Sequence, residues 1–143
     1  MESIMSNVAV VYWSGTGNTE AMAEEIAAGA ERAGAHADLV QASDFEPSKV
    51  AQFDAFAFGC PAMGVEELED GEFEPMYDAV EPKLDGKKVV LFGSYGWGTG
   101  EWMETWEDRA RNAGVNVVAT VIANEEPDES ALAECDAAGA SLA

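Results

Sequence analysis

The stretch VVYWSGTGNTEAMAEEI, residues 10–26, changes character twice. Val10, Val11, Tyr12 and Trp13 favour an extended strand, SGTGNT at 14–19 is small, polar and broken by glycine, and the run from Glu20 carries apolar residues at helical spacing. Gly15 and Gly17 permit a tight turn with close backbone approach, and a helix starting at Asn18 aims its free N–H groups and the positive end of its dipole at the same point. Ser14, Thr16 and Thr19 add hydroxyls, and Asn18 adds an amide. The pattern predicts a phosphate site built from uncharged donors. A nucleoside-triphosphate loop would need G-x-x-x-x-G-K-[ST], and a dinucleotide fingerprint would want a third glycine where Glu20 stands. A receiver domain would need acidic residues clustered after the first strand, and they are missing. A turn serving chain reversal alone leaves the density of hydroxyls unexplained.

Outward from this stretch, apolar runs alternate with helical ones. Strands are expected at 8–13, 54–60, 87–95 and 115–123, with a weaker one at 35–41, and their near-continuous apolar character predicts burial on both faces. Helices are expected over 18–33, 72–84 and 100–113, stopped respectively by Gly34, by Asp85 with Gly86, and by Gly114, and a last one from Pro127 to the end. FEPSKVAQF at 45–53 has room for a short helix. Alternating strands and helices predict an α/β three-layer sandwich, with a five-stranded parallel sheet in the order 2-1-3-4-5 and helices on both faces. Ligands in such sheets sit at the carboxyl ends of the strands, where the loops 14–19, 61–71 and 94–100 converge.

A chain of 143 residues suits a single domain, here spanning 1–143. Its 28 acidic and 7 basic side chains give a formal charge of −21, which repels nucleic acid and anionic membranes and attracts basic protein faces. The same charge suits solubility at high salt. Cys60 and Cys135 show no metal or redox spacing and read as inert core thiols. The opening MESIMSNVAVVYW has no basic leader and too short an apolar run for a membrane span, so a cytoplasmic protein is expected. Lone His36 reads as solvated, and nothing reads as a general acid, base or nucleophile.

Two further loops carry the functional reading. CPAMGVEELEDGEFEP at 60–75 starts rigidly at Pro61, turns at Gly64 and continues into a run of carboxylates that serves as a solvated loop if it has no other role. In GSYGWGTGEW at 93–102, Trp97 stands between Gly96 and Gly98 with no helical or strand face to pack on, which suits a ring covering a ligand. Trp102 and Trp106, spaced i and i+4, read as core, whereas Trp13 suits either core or site.

Taken together and in order, VVYWSGTGNTE, PAMG-x-E and FGSYGWG make the whole chain resemble the short-chain flavodoxins of anaerobic bacteria. The uninterrupted VNVVATVIA at 115–123 fits the short-chain class. The resemblance implies the flavodoxin-like fold, a monomer, noncovalent FMN and a low-potential one-electron carrier with no substrate turnover of its own. It would dock on basic faces of reductases and oxidoreductases. The phosphate would lie in Ser14, Gly15, Thr16, Gly17, Asn18 and Thr19 with Ser94 nearby. The isoalloxazine would lie between Met63 and Trp97, with Glu66 accepting from its N3–H and groups around Ala62, Gly64, Val65, Tyr95, Gly96 and Gly98 completing the pocket. The resemblance also implies that the Gly64 carbonyl would swing toward flavin N5 on one-electron reduction. Val65 departs from the family's usual small or polar residue there, and a β-branched side chain resists the positive φ of a type II turn, which predicts a less stabilised one-electron-reduced form. A carboxylate about 10 Å away disfavours the reduced anion by about 0.4 kcal/mol at the dielectric of water. Two other classes remain open. One is an FMN-dependent NAD(P)H:quinone or small-molecule reductase on the same fold, and the other a flavin-free interaction domain.

Overall fold

Along β1 (Asn7–Tyr12), Val8, Val10 and Tyr12 point to one side and Ala9 and Val11 to the other, and all five are buried. A strand apolar on both faces needs a layer on each, and the computed structural model supplies them. It describes residues 6–15, 17–63, 67–96 and 98–143. On one side α1 (Asn18–Arg32) and α4 (Glu129–Ala140), with Leu142 just beyond it, pack through Met22, Ile26, Cys135 and Leu142 onto Val8, Val10 and Phe92. On the other, α2 (Phe73–Val80) and α3 (Glu101–Asn112) bring Tyr77, Trp102 and Trp106 onto Phe56, Phe58 and Leu91. Between them β2 (His36–Gln41), β1, β3 (Ala55–Gly59), β4 (Lys88–Tyr95) and β5 (Asn116–Asn124) form a five-stranded parallel sheet in the order 2-1-3-4-5, as expected.

The structure corrects two expectations from the sequence. The strands at 115–123 and 35–41 are not buried on both faces: β5 and β2 are the edge strands, with Val118 37%, Ile122 36% and Leu39 45% exposed. Val89 pairs with Val117 but Val90 with Ala119, so Val118 is bulged out of register. A bulge of this kind twists the edge and discourages pairing with another chain. The helix expected over 72–84 is α-helical only to Val80 and continues as a 3₁₀ turn over Glu81–Lys83. Pro82 has no N–H to return to the preceding turn, so the α ladder cannot continue through it. The short helix anticipated within 45–53 is a 3₁₀ segment, Pro47–Gln52.

Smaller expectations hold. Trp102 and Trp106 are each 2% exposed, and burial pushes the thiols of Cys60 and Cys135 up to about 12, so both stay protonated near neutrality. His36 is exposed, with its Nε2 at 3.0 Å from Asp38 Oδ1. Arg109 ties α2 to α3, pairing with Asp78 and Glu81 and standing 5.0 Å over the Tyr77 ring.

Candidate functional site

At the carboxyl ends of the strands a cavity of about 400 Å³ opens, within the range of roughly 300–1,000 Å³ usual for small-molecule sites. Its wall draws on each of the three loops expected to meet: Gly15, Asn18 and Thr19 after β1, Pro61, Ala62 and Met63 after β3, and Ser94, Tyr95 and Gly96 at the end of β4. Trp13 and Glu125 complete it.

The polar end lies where α1 begins. Gly17 occupies its N-cap position with φ 96°, a left-handed conformation that glycine adopts without steric cost. The Ser14 hydroxyl accepts from Gly17 N–H at 3.1 Å and Glu20 N–H at 3.3 Å, so it faces the helix end and lines an adjoining smaller cavity. Thr19 and Ser94 are the deeper pair, 1% and 5% exposed, with their hydroxyl oxygens 3.1 Å apart. Ser94 N–H also donates to Thr19 Oγ1 at 3.3 Å. Whichever hydroxyl donates to the other, one O–H proton of the pair remains free for a further acceptor. None of the 7 lysine and arginine side chains lines the cavity. An anion placed here would meet hydroxyls, amides and the positive end of the helix dipole, the donor set expected for a phosphate ester.

The opposite wall is the loop leaving β3. Ala62 N–H donates to Ser94 O at 3.0 Å, locking that loop to the end of β4. Met63 and Glu67 exchange backbone hydrogen bonds of 2.8 and 2.9 Å, and between them in the sequence come Gly64, Val65 and Glu66. Those three, together with Thr16 and Trp97, lie outside the described residues, and so do the expectations placed on them. Gly98, at φ 98°, follows Trp97 but does not line the cavity, and neither does Gly17.

Two residues escaped the sequence reading. Glu69, taken as part of a solvated acidic loop, folds back so that its carboxylate accepts from the N–H groups of Gly71, Glu72 and Phe73, each at 2.8 Å. Partial burial alone raises the Glu69 carboxyl, but the three donors outweigh it and hold the group below the ordinary carboxylate range. A depressed folded value contributes stability above the unfolded pKa, and that stability is lost as pH falls through the folded one. Glu69→Ala is expected to cost about 1 kcal/mol at pH 7, like the loss of an N-cap, with the gap in melting temperature narrowing below about pH 4. Thermal melts of both proteins across that range would show it; a gap that widens with acid would contradict it.

Glu125 is the other. It sits at φ 57° just after β5, and its N–H donates to Tyr95 O at 2.7 Å. Asn124 Nδ2 reaches Tyr95 O and Gly96 O at 3.4 Å each. β5 neighbours β4, so its trailing loop borders the cavity, and that adjacency was the available signal.

The Flavodoxin family model matches residues 10–139. The chain is 52% identical to the flavodoxin of Megasphaera elsdenii, covering 95% of this chain and 98% of that one. It is 48% identical to that of Clostridium beijerinckii, over 85% and 88% respectively. The solution structure of two-electron-reduced Megasphaera elsdenii flavodoxin superposes with a TM-score of 0.87, over 94% of this chain and 98% of that one. These relatives do not favour a reductase or a flavin-free domain. The chain belongs to the flavodoxin family, the FMN-carrying electron-transfer proteins, as one of its short-chain members.

Proposed function

We propose that this chain is a cytoplasmic, monomeric, low-potential electron carrier that holds FMN noncovalently in the cavity at the carboxyl end of its sheet. The buried Thr19–Ser94 hydroxyl pair at the start of α1, in a cavity without a basic side chain, is the observation that carries this reading. In it, Ser14, Gly15, Thr16, Gly17, Asn18 and Thr19 surround the phosphate with Ser94 beneath. Ala62, Met63, Gly64, Val65 and Glu66 form one side of the ring site, and Tyr95, Gly96, Trp97 and Gly98 the other.

FMN supplies the one-electron chemistry. The chain's part is environment. Neutral donors leave the phosphate charge uncompensated, and Glu125 and Glu67 stand at the cavity and its neighbouring turn, so negative charge added there meets negative charge already present. Each such carboxylate at about 10 Å opposes a further electron by about 0.4 kcal/mol, less after salt screening. Apolar Met63, Ala62 and Pro61 line the inner wall. The formal charge of −21 favours encounter with basic faces of redox partners and opposes self-association.

Mixing flavin-free protein with FMN under anaerobic conditions tests the assignment. A yellow complex of one flavin per chain is expected, taking up two electrons in separate one-electron steps and leaving NADH unoxidised. Protein that stays colourless, or that oxidises NADH unaided, would sink it.

A further inference from the structure

We propose that Glu72 acts through Trp13 as a positioning residue, tying the two rims of the cavity together so that seating the phosphate end and seating the ring end reinforce one another. The proposal rests on the flavin reading above.

Trp13 stands where β1 ends, its N–H fixed to Gly59 O at 3.0 Å. Trp13 lines both the main cavity and a second cavity of about 300 Å³ that also borders Ser14 and Glu72. The ring edge lies against the phosphate loop: a Cβ at Gly15 would sit 3.2 Å from Trp13 Cη2. The indole N–H donates to Glu72 Oε1 at 3.0 Å, 59 residues along the chain. From Glu72 the path continues into the other rim. Glu72 N–H donates to Glu69 Oε1 at 2.8 Å, and Glu69 N–H reaches Cys60 Sγ at 3.2 Å, directly before the Pro61–Met63 wall.

Glu72 does not line the main cavity, and a carboxylate near an anion site is electrostatically unfavourable. Its hydrogen bond gives it a use that offsets this repulsion. Holding the indole against Gly15 and the β3 loop together means that ordering one rim for its half of the ligand also orders the other. Such a link is a coupling free energy, and it acts equally in both directions.

The affinities of FMN and riboflavin, which differ only in the phosphate, measure that coupling as a ratio in wild type, Glu72→Gln and Glu72→Ala. Both variants remove the same charge, so comparing them cancels the field, while glutamine alone keeps an acceptor for the indole. The FMN-to-riboflavin affinity ratio of Glu72→Ala is expected to fall about three- to tenfold below that of Glu72→Gln, the range for one neutral hydrogen bond. Relief of repulsion should hold Glu72→Gln at or above the wild-type ratio. Equal ratios in the two variants would overturn the proposal while leaving the flavin reading intact. Wild-type protein that fails to bind FMN would overturn both.

Discussion

Thr19→Val is expected to weaken FMN binding about 10- to 100-fold, the range for losing a hydrogen bond to a charged group, while changing riboflavin affinity little. Valine keeps the shape of threonine and replaces only the hydroxyl, so the buried position stays filled. What disappears is the Oγ1 that sits 3.1 Å from Ser94 Oγ and accepts Ser94 N–H at 3.3 Å. Ser94 keeps its own O–H but loses the partner that fixes its direction, its buried N–H loses its acceptor, and no cation lines the cavity to take over. Thr19→Ser restores the hydroxyl and should recover most of the affinity. Equal losses for FMN and riboflavin would show that the hydroxyl shapes the whole cavity rather than the phosphate end. Fluorescence titration of flavin-free protein with each ligand distinguishes the two, because bound flavin is quenched beside aromatic side chains.

Local chemistry written within a few residues was readable in the sequence. The strand–loop–helix step at 10–26 carries its own strand formers, glycines, hydroxyls and helix periodicity, and the structure builds it within a residue of the expected bounds. Thr19 and Ser94, however, lie 75 residues apart, and only the parallel pairing of β1, β3 and β4 brings them into contact. The resemblance placed Ser94 near the phosphate loop, without naming Thr19 as its partner. The burial of β5 was misjudged for another reason. VNVVATVIA reads locally like a central strand, and that local pattern predicted burial on both faces although the expected order 2-1-3-4-5 already put the strand at the edge, where Val118 and Ile122 are exposed. Glu69 was misread for a related reason, because an exposed carboxylate and one capping three N–H groups have the same side chain, and the difference lies in the turn after it. Glu125 depended on knowing which loop borders β4.

Gly139→Ala is expected to lower the melting temperature by about 10 °C, which for a chain of this size corresponds to about 2–3 kcal/mol. Propensity alone argues the opposite sign, since glycine to alanine inside a helix ordinarily stabilises by about 1 kcal/mol. The reversal comes from the crossing of α1 and α4, where each helix offers a glycine to the other's backbone. A Cβ at Gly139 would lie 2.0 Å from Ile26 O, and one at Gly29 2.2 Å from Asp136 O. Neither neighbour is the tip of a flexible side chain, so relief requires the helices to part. Parting them would loosen Met22, Ile26, Cys135 and Leu142 from the sheet and strain the Arg32–Asp136 pair that bridges the same crossing. Gly29→Ala should act likewise. Ala137→Gly, on the exposed side of α4, provides the control: it should cost only the propensity difference of about 1 kcal/mol. Two substitutions of opposite chemical sense, two positions apart, would then both destabilise, the first more than the second. Urea unfolding of the three proteins measures this directly, and a Gly139→Ala protein as stable as wild type would mean that the two helices do not approach this closely.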